Sequence, residues 1–266
     1  MAHPASRHAT VVRTDAKGEV RLDVTVRGEG PLVVLIPSLG RGASDFDDLA
    51  TRLAAAGYEA AAIDPRGIGA STGPMENLTL ADYAADVAAV AEKLSPRPAV
   101  LIGHAFGNRV ARATAADHPE AVSGLILLAA GGQVAPAPDV AKALAEVFDT
   151  TVSPAQHRAD VQKAFFAPGN DPGVWLDGWH PAAQRAQSAA VRATGADAWQ
   201  GGGRADVLIV QASDDLVAPP ANAEVLARAH PDRVRVVILP HAVHAMLPEQ
   251  PDEIARIVIA YLRAHR

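Results

Sequence analysis

The sequence predicts an α/β fold with an open, mostly parallel sheet and helices on both faces, and three observations carry that expectation. Strand and helix patterns alternate through the first half of the chain and resume in its last quarter. Leu32 to Ile36, Ala99 to Ile102 and Val122 to Leu128 are short, nearly continuous apolar runs, as expected of strands covered on both faces. The 266 residues suffice for one large domain, or one domain with an insertion, that buries a substantial core.

Val20, Leu22, Val24 and Val26 alternate with polar residues and mark a half-buried strand. Gly28-Glu29-Gly30-Pro31 is a turn before the Leu32 strand. Ser44 with Asp47 resembles a capping box opening a helix through Phe46, Leu49 and Leu53, which Gly57 ends. Glu59 to Ile63 is the next strand, and Leu80 to Leu94 keeps a helical period. After the Ala99 strand comes a helix over Ala105 to Asp117, then the Val122 strand. His118-Pro119-Glu120 reads as a helix terminus.

Residues 133–200 interrupt the rhythm. Helices are expected over Val140 to Phe148, Ala155 to Phe166 and Pro181 to Thr194. This segment holds all three tryptophans (Trp175, Trp179, Trp199) and Phe148, Phe165 and Phe166. It reads either as a lid over an apolar pocket or as an insertion held down by its aromatics. The core is therefore assigned to residues 1–132 and 201–266, with 133–200 as a helical cap. Gly201-Gly202-Gly203 is the return hinge. Strands at Val207 to Val210 and Val234 to Leu239, a helix around Val225 to Ala229, and a last helix striped with Ile254, Ile257, Val258, Tyr261 and Leu262 complete the pattern.

Composition excludes several functions. No cysteine means no disulfide, no thiolate nucleophile and no Cys-ligated metal. With 24 basic against 30 acidic side chains the formal charge is −6, so a nucleic-acid partner is not expected. At 49 % hydrophobic residues the chain is not expected to be disordered. Met1 to Thr10 has no signal-peptide h-region, and no run nears the ~18 apolar residues of a membrane span. A cytoplasmic monomer or homodimer with no membrane partner is expected. There is no G-x-x-x-x-G-K-[ST] loop, and Gly67-Ile68-Gly69 lacks a third glycine for a dinucleotide fingerprint. A nucleotide-binding oxidoreductase is therefore set aside, and no cofactor and no metal are expected.

The most informative segment is Gly103-His104-Ala105-Phe106-Gly107, a G-x-x-x-G turn between a buried strand and a helix. This is the setting of a nucleophile elbow, G-x-S-x-G, with Ala105 at its centre. Leu35-Ile36-Pro37-Ser38-Leu39-Gly40 and Asp64-Pro65-Arg66-Gly67-Ile68-Gly69-Ala70-Ser71 precede it, and Ala212-Ser213-Asp214-Asp215 through Pro219 and Leu239-Pro240-His241-Ala242-Val243-His244 follow it, with suitable spacing. On these motifs the chain resembles the α/β-hydrolase family from Leu32 to Arg266, with about eight strands and a helical cap implied.

The resemblance assigns the nucleophile, acid and histidine positions to Ala105, Asp215 and His244. Asp215 is favoured over Asp214 because it lies four residues before Pro219, as in the family. The oxyanion donors would be the backbone N–H groups of Phe106 and Leu39. Ser38, His104, Trp175 and Trp179 are pocket candidates, although a histidine at the place of His104 is usually structural in the family. His241 is assigned to the pocket rim or surface, Arg41 to a solvent-facing role and Asp64 to bracing loops. Pro37-Ser38 replaces the family's His-Gly, and Val243 replaces the glycine before the histidine.

Alanine cannot be a nucleophile, and three accounts follow. The chain is an engineered, inert Ser→Ala variant of a serine hydrolase for a small, largely apolar ester, lactone or ketone-type substrate. Or alanine is native, and a His244–Asp215 dyad performs lyase, isomerase, hydration or cofactor-free oxygenation chemistry. Or the protein is a non-catalytic binder of small molecules. The intact acid and histidine argue against the third.

Overall fold

The computed structural model describes residues 6–265. The signal-peptide reading of Met1 to Thr10 lies partly outside the described residues; from Ser6 onward the chain is a strand. An eight-stranded sheet forms the centre, in the order β1-β2-β4-β3-β5-β6-β7-β8. Its strands are β1 (Ser6–Asp15), β2 (Gly18–Arg27), β3 (Leu32–Ile36), β4 (Glu59–Ile63), β5 (Ala99–His104), β6 (Val122–Leu128), β7 (Val207–Ala212) and β8 (Val234–Leu239). β1 and β2 form an antiparallel hairpin, and β2 runs antiparallel to β4. All other neighbours pair in parallel.

Side-chain alternation divides the core between two faces. Val34 and Ile36 of β3, with Leu101, Leu125 and Leu127, pack beneath α2 (Leu80–Leu94) and α3 (Phe106–Asp117). Val33 and Leu35, with Ile102 and Ile126, face α1 (Asp47–Ala55) and, near the carboxyl end of the chain, α9 (Pro251–Ala264). Helices on both sides explain why the central strands are apolar at consecutive positions rather than at alternate ones. No helix among the described residues is long and apolar enough to cross a membrane.

The capping box moves from its expected place. Ser44 lies inside a 3-10 turn over Ala43–Phe46, and α1 begins at Asp47 with no side-chain cap. The reciprocal arrangement is found at α2, where the Asp82 carboxylate accepts from the Thr79 N–H at 2.7 Å and the Thr79 hydroxyl at 2.9 Å. The D-x-R-G-x-G-x-S loop also acquires a physical reason. Arg66 is fully buried and donates two hydrogen bonds to Asp86 of α2, at 2.6 and 2.9 Å. Asp64 accepts from the Ala43 N–H at 2.7 Å, which ties this loop to the one after β3.

Between β6 and β7 the chain forms α4 (Pro138–Glu146), α5 (Pro154–Phe165) and α6 (Pro181–Ala193), with short 3-10 turns at Pro172–Trp175 and Ala196–Ala198. Prolines occupy the first turns of all three helices, where a missing N–H costs nothing. Phe165, Phe166 and Trp175 form a buried cluster with Val147 and Val161, half-buried Trp179 packed against it. The return to the core passes through α7 (Ala221–Ala229), after β7, and the short α8 (Met246–Glu249), after β8.

Candidate active site

The carboxyl ends of β3, β5, β6, β7 and β8 open toward one cavity of about 290 Å³, small beside the ~300–1,000 Å³ usual for ligand pockets. Its walls include Ser38, Leu39, Ala105, Phe106, Trp179 and His244. Ala105 sits between β5 and α3 at φ 49° and ψ −106°, a backbone conformation that an L-residue adopts only under strain, roughly 1–3 kcal/mol. Its N–H donates to the Leu128 carbonyl at 3.0 Å, which anchors the turn to β6. The flanking glycines are required by close approach. A Cβ on Gly107 would collide with the Ile36 carbonyl, and one on Gly103 with the Gly107 carbonyl. Residue 105 is thereby raised above the sheet edge. Phe106 takes the first position of α3, where a helix leaves N–H groups without an intrahelical acceptor.

His244 and Asp215 are brought together from the loops after β8 and β7. His244 Nδ1 lies 3.0 Å from both carboxylate oxygens of Asp215, and both residues are 2 % exposed. Asp215 Oδ1 also accepts from the backbone N–H groups of Val217 at 2.9 Å and Ala218 at 2.8 Å. A carboxylate held this way accepts from Nδ1–H and leaves Nε2 as the imidazole's basic atom. Among the described residues Nε2 has no protein partner, and His244 lines the same cavity as Ala105. Asp214, the sequence's second choice, is exposed, and among the described residues its carboxylate accepts only from the Ser213 hydroxyl, at 2.9 Å.

Two pocket candidates stand behind the wall. His104 is fully buried, outside the cavity lining, and its Nε2–H donates to the His244 carbonyl at 2.9 Å. Its Nδ1 has no partner among the described residues. Burial, with the neighbouring His244 ring adding to it, lowers its pKa to about 3, so the ring is neutral. Trp175 is 3 % exposed and likewise absent from this cavity. It packs against Phe165, ring centroids 5.5 Å apart, in the layer behind. Trp179, by contrast, lines the cavity.

Arg41 corrects the expectation of a solvent-facing residue. It is 4 % exposed, its guanidinium lies 4.7 Å from the Trp175 ring centroid and 4.5 Å from that of Trp179, and it pairs twice with Asp45. The tryptophans that bury it are more than a hundred residues away, so no local pattern signals its burial. His241 is exposed, at φ 55°.

Sequence reading passed over two further residues. Gln187 of α6 is fully buried and its Oε1 accepts from the Gly40 N–H at 2.7 Å, while the His180 N–H donates to the Gly40 carbonyl at 2.9 Å. The insertion therefore holds both backbone groups of Gly40, next to Leu39. Arg109 also lines the cavity. It lies four residues after Ala105 in the sequence, one helical turn, and that spacing was the available signal.

Residues 30–251 match the family model described as serine aminopeptidase, S33. A non-heme chloroperoxidase of Streptomyces lividans is 32 % identical over 240 residues, 80 % of this chain and 86 % of that protein. A 2-(acetamidomethylene)succinate hydrolase of Mesorhizobium japonicum is 32 % identical over 124 residues, and this chain spans only 44 % of that relative's length. Among solved structures, an esterase from Exiguobacterium antarcticum superposes with a TM-score of 0.80 at 21 % identity, covering 96 % of this chain and all of that one, a likeness of fold.

Proposed function

The chain belongs to the serine aminopeptidase S33 family, on the α/β-hydrolase fold, and on that footing we propose that its cavity is a serine-hydrolase active site with alanine in the nucleophile's seat. The substrate class is a small ester, lactone or ketone-type compound with a largely apolar body. The observation that carries the reading is the strained backbone at Ala105, φ 49°, in a cavity also lined by a His244 whose Nδ1 is committed to Asp215. Backbone strain of this kind clusters at functional sites.

In a chain with serine at 105, the hydroxyl would attack an acyl carbon while His244 Nε2 takes its proton. Asp215 would hold the ring and stabilise the imidazolium. The N–H groups of Phe106 and Leu39 would receive the oxyanion. The chain as it stands has no hydroxyl at 105, binds the substrate and forms no acyl-enzyme there. This is the behaviour of a Ser→Ala variant made inert.

The experiment is Ala105→Ser. The variant is expected to hydrolyse p-nitrophenyl acetate, and a folded variant with no turnover above background would overturn the proposal. A second reading is favoured by the unpartnered Nε2 of His244. The dyad would activate water or remove a substrate proton without a covalent intermediate. It requires that His244→Ala abolish turnover by the unmodified chain, and equal rates for the two would eliminate it.

A further inference from the structure

The cavity wall contains Arg109 and Arg192 and no acidic side chain. Arg192 is exposed, near the end of α6, whereas Arg109 is half-buried in the second turn of α3. The buried arginines among the described residues are satisfied by the protein. Arg66 is bidentate to Asp86, and Arg41 to Asp45. Arg112 donates to the carbonyls of Asn108, Gly131 and Gln200 and to Asn108 Oδ1. Half-buried Arg109 is not so satisfied. Among the described residues it has no ion pair and no hydrogen bond, and its guanidinium rests 5.3 Å from the Trp199 ring centroid. Stacking on a ring face leaves the in-plane N–H donors available. Burial alone lowers its pKa, with no carboxylate acting in the other direction.

We propose that Arg109 is the carboxylate-recognising residue of this cavity, so that its preferred ligand is a small molecule with an apolar body and one carboxylate. The proposal rests on the reading of the cavity as the substrate site. A guanidinium offers a carboxylate two parallel N–H···O bonds, stronger than neutral pairs. In a site partly withdrawn from water, that pairing satisfies a cation the protein leaves without an acid. The position also fits the proposed reaction. Four helical residues advance about 6 Å, so a carboxylate at Arg109 sits a few bonds from a carbon held at residue 105. The apolar part of the ligand would lie between them, against Phe106 and Phe165, which share the wall.

The test is calorimetric titration of the unmodified chain with hexanoate and with its neutral counterpart hexanamide. Hexanoate is expected to bind at least tenfold more tightly, and Arg109→Gln to bring the two affinities within about twofold of each other. Equal binding of the two compounds by the unmodified chain would overturn the proposal. So would a preference that survives Arg109→Gln, or failure of both compounds to bind. If Arg109→Gln does not fold, the Arg109 Nε–H resonance of the intact chain reads the same contact. A shift with hexanoate and not with hexanamide supports the proposal, and equal shifts overturn it. These outcomes are independent of Ala105→Ser turnover on an uncharged ester, so failure of ligand recognition and failure of the hydrolytic reading are distinguishable.

Discussion

Asp86→Ala is expected to be among the most damaging single changes outside the cavity. Asp86 is 4 % exposed and receives both Arg66 bonds, and its Oδ1 accepts a third from Arg13 Nε at 2.7 Å. Arg66 has no exposure at all, so removing its carboxylate strands a buried guanidinium. Breaking a buried pair by deleting one partner costs about 3–5 kcal/mol. Arg13 keeps Asp15 at 2.9 Å and adds little to that loss. At about 2–4 °C per kcal/mol for a chain of this size, the melting temperature should fall by about 6–20 °C. Urea unfolding followed by circular dichroism measures the free energy, and the double change Asp86→Leu with Arg66→Met should recover most of it. A loss below about 1 kcal/mol, the worth of an exposed pair, would refute the claim that this loop is held by a desolvated ion pair.

Gln187→Leu removes the acceptor of the Gly40 N–H and should cost about 1–3 kcal/mol, with faster amide exchange at Gly40; unchanged exchange would contradict the clamp. His104 is folded with a pKa near 3 against 6.5 in its ordinary state. Between those values the unfolded chain binds a proton that the folded chain refuses, so this residue's contribution is present above pH 6.5 and is lost as pH falls toward 3. His104→Asn should flatten the dependence of the urea midpoint between pH 7 and pH 5, and an unaltered slope would count against it. In the Ala105→Ser background, Asp215→Asn should lower kcat by about 10⁴-fold, whereas Asp214→Asn should stay within about twofold. Reversal of that order would move the acid to Asp214.

The sheet could be read from sequence where physics makes the signal local. β3, β5 and β6 are covered on both faces, and their apolar runs mark them. β1 escaped because it is an edge strand with Val11 alone of its ten residues buried. Its two-residue connection to β2, Ala16-Lys17, lacks the Asn-Gly or Asp-Gly pair that announces a hairpin. At the site, the elbow glycines, Asp215 and His244 are legible through the family resemblance, whose motifs fall in the loops after β5, β7 and β8. Arg41 and Gln187 are not, because their environments are assembled from the insertion. Residue type does not report which layer a side chain occupies, so Trp175 and His104 read as cavity residues although neither lines the cavity.

The central claim is that residue 105 is a nucleophile's seat served by His244. Intact-protein mass spectrometry after incubation with a fluorophosphonate probe tests it most directly, comparing the unmodified chain, Ala105→Ser, and Ala105→Ser with His244→Ala. One adduct on Ser at 105, absent from the unmodified chain and slowed at least a hundredfold without His244, is the predicted result. A folded Ala105→Ser chain that takes up no probe, or takes it up equally fast without His244, would contradict the account.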